Sequence, residues 1–149
     1  AGNDVLWTST GNDIIDGGIG NDNIDGGSGN DQLLGGEGSD VIQGRTGDDV
    51  INGGLGADRL TGGAGADSFD YSFLNDSNST AYDTITDFQQ GVYHINLHDL
   101  AAAGIISFDD LNITNDGVNT TILANDNNID FEIHLNGVFN LHDGDFQWG

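Results

Sequence analysis

The 149-residue chain contains no cysteine, no proline and no methionine, and its only basic residues are Arg45 and Arg59. Without cysteine, no disulfide framework can support the fold. The 25 acidic residues give a formal net charge of −23, so nucleic acid and anionic membrane surfaces are unfavourable partners unless a metal ion intervenes. No apolar run approaches the roughly 20 residues of a membrane-spanning helix, so no membrane insertion is expected.

Catalytic signatures are also missing, so no enzymatic activity is predicted. The chain has no H-E-x-x-H sequence and no zinc-ligand spacing among its four histidines. His94 and His98 have the spacing of ligands on a helix, but the residues between them read as a strand, which favours a surface pair. The run from Asp126 to Glu132 alternates like the start of an EF-hand loop, yet it lacks the glycine at the sixth position. Its side chains are therefore interpreted as strand-edge residues.

What the sequence does contain is a strict nine-residue repeat from Gly2 to Asp70. Each repeat has an aspartate, with a glycine two residues before it and a large apolar residue two residues after it. The aspartates are Asp4, Asp13, Asp22, Asp31, Asp40, Asp49, Asp58 and Asp67. The apolar residues are Leu6, Ile15, Ile24, Leu33, Ile42, Ile51, Leu60 and Phe69. Glycine pairs at 17–18, 26–27, 35–36, 53–54 and 62–63 complete the unit G-G-x-G-x-D-x-U-x.

Each unit divides into a glycine-rich turn and a short strand whose central apolar side chain points inward. One inward residue per strand cannot form a core, whereas stacked strands bury a continuous apolar column. A flexible linker rich in glycine and aspartate would have no reason to keep an apolar residue in a fixed phase. The repeats therefore predict an all-β solenoid rather than a linker.

The turns have the composition of a cation site. Glycine readily adopts positive φ and lets several carbonyl oxygens face a common centre, and Asn3, Asn12, Asn21 and Asn30 are the next most tolerant choice. Calcium takes about 6 to 8 oxygen ligands, so backbone carbonyls must supplement the single aspartate of each turn. Stacked carboxylates about 4.8 Å apart repel one another, and a bound cation would offset that repulsion. The candidate calcium ligands are the eight aspartates and the turn glycines Gly11, Gly18, Gly20, Gly27, Gly29, Gly36, Gly38, Gly47, Gly54, Gly56, Gly63 and Gly65.

The repeats resemble the RTX family of calcium-binding nonapeptide repeats. The resemblance implies a right-handed parallel β-roll in which two repeats form one coil, so that alternate aspartates line the same edge. The gaps between stacked turns would then hold up to about six calcium ions. Two turns depart from the pattern, because Thr8-Ser9-Thr10 replaces the first glycine pair and Arg45 takes the place of a second glycine.

After Asp70 the nine-residue register stops, so we divide the chain into the repeats, residues 1–70, and a C-terminal capping region, residues 71–149. The sequence pattern predicts strands near 68–73, 83–88, 94–97, 111–114, 120–124, 129–135 and 145–148, with one or two helical turns at 97–103. We expect an antiparallel β cap, because an uncovered coil would expose a sheet edge and its apolar column. Phe69 is expected to pack against this cap with Phe73, Ile85 and Phe88.

The second half resembles the C-terminal part of serralysin-type secreted metalloproteases and the R-modules of mannuronan epimerases. The resemblance lies in the runs GADSFDYSF, DTITDF, HINL and FEIHLNGVFNLHDGDF. It implies a further calcium site at Asp83 and Asp87, the acidic residues of DTITDF. Residues 91–96 lack the acidic residues that usually follow in those families, and the ending from Asp145 to Gly149 differs from the tail typical of serralysins.

The resemblance implies a non-catalytic calcium-binding module of a secreted bacterial protein, exported by a type I apparatus and folded by extracellular calcium. Its partners would be this apparatus and a covalently attached upstream domain, and the module is expected to be monomeric. The main alternative is an R-module that binds an acidic polysaccharide such as alginate, which the charge of −23 opposes unless calcium or a local cationic patch intervenes. A structural segment of a large adhesin is the third interpretation. Because the chain begins inside a repeat, we expect it to be a piece of a larger protein.

Overall fold

Two β-sheets enclose a thin apolar core in the computed structural model of the chain, which describes residues 1–98, 100, 105, 107–124 and 130–148. The strands in chain order are β1 (Val5–Trp7), β2 (Ile14–Ile19), β3 (Asn23–Asp25), β4 (Gln32–Glu37), β5 (Val41–Thr46), β6 (Val50–Leu55), β7 (Arg59–Ala64), β8 (Ser68–Asp70), β9 (Asp83–Ile85), β10 (His94–Asn96), β11 (Leu111–Asn115), β12 (Asn119–Ala124), β13 (Glu132–Asn136) and β14 (Phe146–Gln147). One sheet has the order β1-β3-β5-β7-β9-β13-β12-β11, and the other has the order β14-β10-β8-β6-β4-β2. Successive strands from β1 to β10 alternate between the two sheets.

Through the repeats, each strand pairs in parallel with the strand one coil further along the chain. The inward residues consequently stack into two columns. One column consists of Leu6, Ile24, Ile42 and Leu60, and the other of Ile15, Leu33, Ile51 and Phe69. All of them are buried except Leu6, which lies in the first coil and is only half-buried. The predicted all-β fold with a parallel β-roll is confirmed.

The two columns continue beyond Asp70, although the nine-residue period does not. Ile85 and Leu135 extend the first column, and Ile95 and Phe146 extend the second. The connections 71–82 and 86–93 are longer than the turns of the repeats, and this greater length hides the period in the sequence. The β-roll therefore gains two further layers of strands from the second half of the chain.

The antiparallel part of the cap is smaller than expected. β12 pairs antiparallel with β11 and β13, whereas β9, β10 and β14 join the sheets in parallel, and β13 pairs in parallel with β9. Parallel neighbours need long crossover connections, while a tight turn produces an antiparallel pair. Most connections after Asp70 are long, and the antiparallel pairs found among the described residues are β11 with β12 and β12 with β13. The helical turns expected at 97–103 and the alternating run at 126–129 lie largely outside the described residues.

Aromatic rings join the repeats to the second half. Phe69 is fully buried, and its ring centroid lies 5.9 Å from that of Tyr93. The ring of Phe88 packs edge-on against the ring of Tyr93, with the two centroids 6.2 Å apart. The expected contribution of Phe73 is wrong, because its side chain is 69% exposed. The backbone turns outward there, where Phe73 N donates a hydrogen bond to Asp76 Oδ2 at 2.8 Å.

Candidate metal centre

The glycines predicted as ligands share one backbone conformation. The second and third glycines of a turn have positive φ, for example 108° at Gly36 and 141° at Gly38, a region that other residues rarely adopt. Positive φ is also found at Gly11, Gly18, Gly20, Gly27, Gly29, Gly47, Gly54, Gly56, Gly63 and Gly65. A β-carbon on Gly36 would collide with the carbonyl oxygen of Gly18 in the previous coil. Glycine therefore allows stacked turns to approach each other through their backbones.

Arg45 keeps this conformation without being glycine. Among the described residues it is the single non-glycine residue with positive φ, at 82°. Its carbonyl oxygen lies against Gly63 of the next coil, as the equivalent glycine carbonyls do elsewhere. The guanidinium extends away from the turn, where Nε and Nη2 donate hydrogen bonds to Asp25 Oδ2 at 3.0 and 2.6 Å. The substitution thus strains the backbone but preserves the shape of the turn.

The aspartates form a hydrogen-bonded ladder along each edge of the β-roll. At each step, Oδ1 of one aspartate accepts a hydrogen bond from the backbone N–H of the aspartate one coil earlier. Asp22 N donates to Asp40 Oδ1 at 2.7 Å, and Asp31 N donates to Asp49 Oδ1 at 2.9 Å. One edge contains Asp4, Asp22, Asp40 and Asp58, and the other contains Asp13, Asp31, Asp49 and Asp67. The eight predicted carboxylates therefore lie in the two rows that the repeat implies.

In the buried aspartates of the two rows and in Asp83, the second carboxylate oxygen has no hydrogen-bond partner. This is true of Oδ2 in Asp22, Asp31, Asp40, Asp49, Asp58, Asp67 and Asp83. Asp4 and Asp13, at the start of the β-roll, are only half-buried. A buried charge without a partner is strongly destabilising. A cation beside these oxygens would supply the missing interaction, so the residues present fit a bound metal ion.

Each such oxygen in the middle of the repeats faces the first glycine of its own turn and a carbonyl of the next coil. A β-carbon built on Gly17 would stand 2.5 Å from Asp22 Oδ2 and 2.6 Å from the carbonyl oxygen of Gly35. The arrangement recurs in four gaps, which pair Asp22 with Gly35, Asp31 with Gly44, Asp40 with Gly53, and Asp49 with Gly62. A carboxylate oxygen and a carbonyl oxygen therefore converge between successive turns.

The donor set consists of oxygen alone. Within the described part of the chain, no group of three or more His, Asp or Glu side chains could hold a metal ion. An ion between the turns must therefore take many of its ligands from backbone carbonyls. Calcium accepts about 6 to 8 oxygen ligands in a flexible geometry, whereas zinc favours nitrogen and sulfur. This arrangement fits calcium.

The comparison with known proteins agrees with this chemistry. The family described as RTX calcium-binding nonapeptide repeat (4 copies) matches residues 1–33 and 34–69. The first half of the chain belongs to the RTX calcium-binding repeats. No curated protein matches the chain significantly.

Two solved structures extend the similarity from the RTX repeats to the second half of the chain. The AlgE6R2 subunit of the mannuronan C5-epimerase from Azotobacter vinelandii is 27% identical, with a TM-score of 0.60, over 82% of this chain and 90% of that chain. The AlgE6R3 subunit of the same enzyme is 28% identical, with a TM-score of 0.56, over 88% of this chain and 71% of that chain. The similarity therefore extends beyond the repeats into the second half of the chain.

The candidate ligands predicted from the sequence do not include the carbonyls of the first glycines in the RTX turns, although the structure places these carbonyls beside the aspartate oxygens. The first glycines do not have positive φ, so their conformation does not explain why glycine is required. The reason is crowding, because a β-carbon on Gly44 would collide with Asp49 Oδ2. One signal was available in the sequence. Gly44 is retained although Arg45 replaces the second glycine beside it.

Burial makes the RTX carboxylates costly to ionise. Desolvation raises the pKa of Asp49 to about 6, and the charges of Asp67 and Asp31 add to the rise, against the lowering effect of a backbone hydrogen bond with Asp31. Burial is also the main cause that raises the pKa of Asp40 and Asp67. A raised carboxyl pKa means that the charged form is disfavoured at its site. A divalent cation in the gap would reverse this preference.

One row of carboxylates continues beyond the RTX repeats through Asp83. Asp58 N donates a hydrogen bond to Asp83 Oδ1 at 2.9 Å, as in the steps before it. Burial raises the pKa of both carboxyls, and the charge of Asp58 adds to the shift at Asp83. Asp83-Thr84-Ile85 is thus a further D-x-U unit outside the nine-residue period. Its spacing was the signal that the row extends into the second half.

The other row ends at Tyr93, which takes the position of the next aspartate. His94 N donates to the carbonyl of Asp67 at 2.9 Å, which is the ladder bond that follows each aspartate. The hydroxyl of Tyr93 donates a hydrogen bond to the carbonyl of Gly63 in the turn below. A phenol therefore terminates this edge where the repeat would place another carboxylate.

Asp87 contacts the same terminal turn rather than Asp83. Its Oδ1 and Oδ2 accept hydrogen bonds from Gly62 N at 3.0 Å and Gly63 N at 2.8 Å. Asp83 instead contacts Asp58 on the opposite edge. The structure therefore places the two residues of the expected further calcium site on different turns.

The first turn differs from the later ones, as its sequence suggests. The Thr8 hydroxyl donates a hydrogen bond to the carbonyl of Gly26. This is the carbonyl that corresponds to Gly44 and Gly62 in later coils, where it faces an unpartnered aspartate oxygen. The Thr8 hydroxyl thus forms a hydrogen bond with the carbonyl oxygen that, in the intact turns, remains free to bind a metal ion.

The turn asparagines act through their side chains and not through their backbone. No described asparagine has positive φ, so the expected role of asparagine as a substitute for glycine is wrong. Asn3 Oδ1 instead accepts a hydrogen bond from Asn21 N at 2.9 Å, and Asn12 Oδ1 accepts one from Asn30 N at 3.0 Å. These side chains form a second ladder on the outside of the turns.

Proposed function

We propose that the chain is a non-catalytic module that folds around calcium and stabilises or modulates the protein to which it is attached. The proposal is carried by the seven buried Asp Oδ2 atoms that have no hydrogen-bond partner. Without a cation, each of these oxygens opposes folding through its desolvation. A ligand that binds the folded state alone stabilises it by about 2.7 kcal/mol per site at 100 times its Kd. Several such sites would therefore control whether the repeats fold.

The ions would lie between successive turns along both edges. The four gaps in which an aspartate oxygen meets a first-glycine carbonyl are the primary sites. The gap between Asp58 and Asp83 offers two buried carboxylates, and the gap between Asp4 and Asp22 offers a partly exposed one. Occupation of these end gaps as well would bring the total to about six calcium ions.

Circular dichroism of the calcium-free chain tests the proposal. We expect a largely unfolded spectrum in chelator and cooperative recovery of the β signal on titration with calcium. Extracellular calcium modules bind at about 10⁻⁴ to 10⁻³ M, so the midpoint should fall in that range. Magnesium at the same concentration is the control, because it demands a tighter octahedral shell. A β spectrum that persists unchanged in chelator would refute the proposal.

We further propose that the parent protein is secreted. RTX repeats and the R-modules of alginate epimerases are typically parts of secreted proteins, which supports this assignment. Cytosolic calcium is far below the expected midpoint, so the chain would stay unfolded for export through a type I apparatus and would fold outside the cell. An attached upstream domain is the expected covalent partner. Within the described residues, no helix is long and apolar enough to cross a membrane.

A second candidate function is binding of an acidic polysaccharide such as alginate. The similarity to two subunits of a mannuronan C5-epimerase favours it. The net charge of −23 opposes it, so a polyuronate would need a local cation or a bound calcium ion to approach the surface. Calorimetric titration of the calcium-loaded chain with oligomannuronate tests this function. Absence of binding at millimolar ligand would rule it out.

A further inference from the structure

We propose that Arg59 and Tyr82 form the centre of a binding site for a uronate, a sugar unit that carries a carboxylate. The site lies on the outer face of the sheet that contains β7, β9 and β13. The inference deepens the second candidate function and rests on it. It does not depend on which gaps of the β-roll hold calcium.

Arg59 is a cation without a carboxylate partner in a very acidic protein. The chain has 25 acidic and two basic side chains, and the other arginine, Arg45, is paired with Asp25 at 2.6 Å. Arg59 is exposed and forms no ion pair among the described residues. A guanidinium presents a fork of donors that matches a carboxylate. No carboxylate of the described residues neutralises Arg59, so its guanidinium can pair with an anion from solution.

Arg59 borders a pocket built on three neighbouring strands. Arg59 on β7 lies beside Thr84 on β9, and Thr84 lies beside His134 on β13. The pocket has a volume of about 430 Å³ and is lined by Arg59, Tyr82, Thr84 and Asn136, together with Ala57, Asp58, Thr80 and Ala81. Small-molecule sites commonly have volumes of about 300 to 1,000 Å³. The pocket is thus large enough for one sugar unit and open enough to admit a chain.

An aromatic platform forms one side of the pocket. The rings of Tyr82 and His134 are stacked, with centroids 3.9 Å apart and an angle of 16° between their planes. His134 Nε2 lies 2.6 Å from Glu132 Oε1, which holds the imidazole in place. Tyr82 is 41% exposed, so part of its surface remains available to a ligand. An aromatic ring with a polar edge can cover the apolar C–H face of a pyranose ring.

The remaining lining groups favour a ligand with hydroxyl groups. The hydroxyl of Thr84 and the amide of Asn136 offer donors and acceptors beside the platform. Asp58 also borders the pocket, but its side chain is 2% exposed and belongs to the carboxylate row inside the β-roll. A single cation, an aromatic surface and two polar groups match one carboxylated sugar. A polyphosphate would require more cations than the one that Arg59 supplies.

Calorimetry on the calcium-loaded full chain tests the site with a mannuronate tetrasaccharide. Arg59→Gln removes the guanidinium, and Arg45→Gln is the matched control, because Arg45 is an exposed arginine outside the pocket. A lost charge-assisted hydrogen bond corresponds to about a tenfold or greater loss of affinity. We expect that loss for Arg59→Gln and for Tyr82→Ala, and less than a twofold change for Arg45→Gln. Neutral mannotetraose should bind at least about tenfold more weakly than the uronate.

Free glucuronate distinguishes a single sugar unit from an internal unit of a polymer. Binding of the monosaccharide with the same dependence on Arg59 would assign the site to one carboxylated sugar, whereas binding of the tetrasaccharide alone would assign it to a polyuronate chain. Equal losses for Arg59→Gln and Arg45→Gln would overturn the site, and so would the absence of tetrasaccharide binding. Circular dichroism of each variant with calcium keeps the outcomes separate. An unmodified chain that folds with calcium but does not bind the sugar would defeat this inference and leave the calcium-folding proposal intact.

Discussion

Different interactions stabilise the interiors of the two halves of the molecule. In the repeats, each coil buries small aliphatic residues such as Ile24 and Ile42, together with carboxylates that need a cation. In the second half, aromatic rings pack against one another, with centroid separations of 5.6 Å for Tyr71 and Phe131, 5.4 Å for Phe88 and Phe139, and 5.4 Å for Phe146 and Trp148. Each aromatic side chain buries about 150 to 250 Å². A bound cation would therefore stabilise the repeats, whereas the second half depends more on its own core.

This difference indicates a direction of folding. A coil of the repeats has interfaces only with its neighbours, so the first coil to form needs a surface that is already ordered. Strands β9 and β10 present the continuation of both apolar columns, with Ile85 and Ile95 in register with Leu60 and Phe69. We therefore expect the second half to nucleate the last coil of the repeats. Calcium would then stabilise each coil in turn towards β1.

Removal of the second half should have the largest effect. A fragment of residues 1–70 exposes the columns at Leu60 and Phe69, and we expect it to stay disordered at calcium concentrations that fold the full chain. Circular dichroism during calcium titration measures the difference. Deletion of residues 1–9 is the control, because it removes only β1 at the other end and should leave folding in place. Folding of the 1–70 fragment at the midpoint of the full chain would disprove the nucleation argument.

Phe69→Ala should weaken the junction without removing it. Phe69 is fully buried and contacts Tyr93, so the truncation should reduce the free energy of unfolding by about 3 to 5 kcal/mol. Urea unfolding at saturating calcium measures this change. Phe73→Ala is the matched control, because Phe73 is 69% exposed and its loss should have little effect. Similar losses for both variants would mean that the junction does not depend on the buried ring.

The contrast between the halves also explains what could be predicted from the sequence. The nine-residue pattern is complete within each repeat. It therefore predicts, from the sequence alone, which residues between Asp4 and Phe69 belong to the aspartate rows and which to the inward columns. The steps at Ile85 and Ile95 could not, because connections of variable length replace the period while the strand pairing is preserved. Asp83 was proposed as a ligand through the family resemblance, but its place beside Asp58 depends on this three-dimensional register.

Two features of the site depend on contacts that are absent from any single repeat. The carbonyl of Gly62 becomes a candidate ligand only because it lies beside Asp49 of the coil before it. Glycine is needed at position 44 because a side chain there would collide with Oδ2 of Asp49, five residues later. The asparagines bond to the neighbouring coil, so a preference based on φ alone assigned them the wrong role. The sequence identifies the candidate ligand oxygens that belong to a single turn. It does not identify the oxygens that come close to an aspartate only when neighbouring coils stack.

Calcium-free folding should depend on pH through the repeats. Folded Asp49 has a pKa raised to about 6, above the value of about 3.9 for an unfolded aspartate. Between these values the folded state binds more protons than the unfolded state, so the stability of the calcium-free fold falls as pH rises through this window. We expect more β signal at pH 5 than at pH 7.5 in calcium-stripped samples. With calcium the order should reverse, because protons compete with the ion. If the calcium-free chain retains a measurable β signal, an equal signal at both pH values would contradict the raised pKa.

Single ligand changes should distinguish interior gaps from the open end of the repeats. Asp49→Asn removes a buried carboxylate with turns on both sides, and we expect the calcium midpoint to rise several-fold. Asp31→Asn should behave in the same way. Asp4→Asn alters a half-buried residue next to the irregular turn at Thr8, so the shift should be smaller than twofold. Equal midpoints for the three variants would show that the calcium affinity of a gap does not depend on the burial of its aspartate or on intact turns beside it.

The smallest expected effect concerns Arg45, where the repeats deviate from glycine without losing their shape. Its φ of 82° lies in the left-handed region, which costs a residue with a side chain about 1 kcal/mol. Arg45→Gly relieves this strain but loses an exposed ion pair with Asp25, which contributes little to stability because solvent screens it. We therefore expect the free energy of unfolding of Arg45→Gly to rise by a few tenths of a kcal/mol at most.

Arg45→Ala is the informative comparison variant, because it loses the same ion pair and keeps the strain. The alanine variant should unfold about 1 kcal/mol more easily than the glycine variant, as measured by urea unfolding at saturating calcium. Equal stability of the two variants would mean that the turn relaxes around a side chain, and the repeats would then be more adaptable than their strict glycine pattern implies.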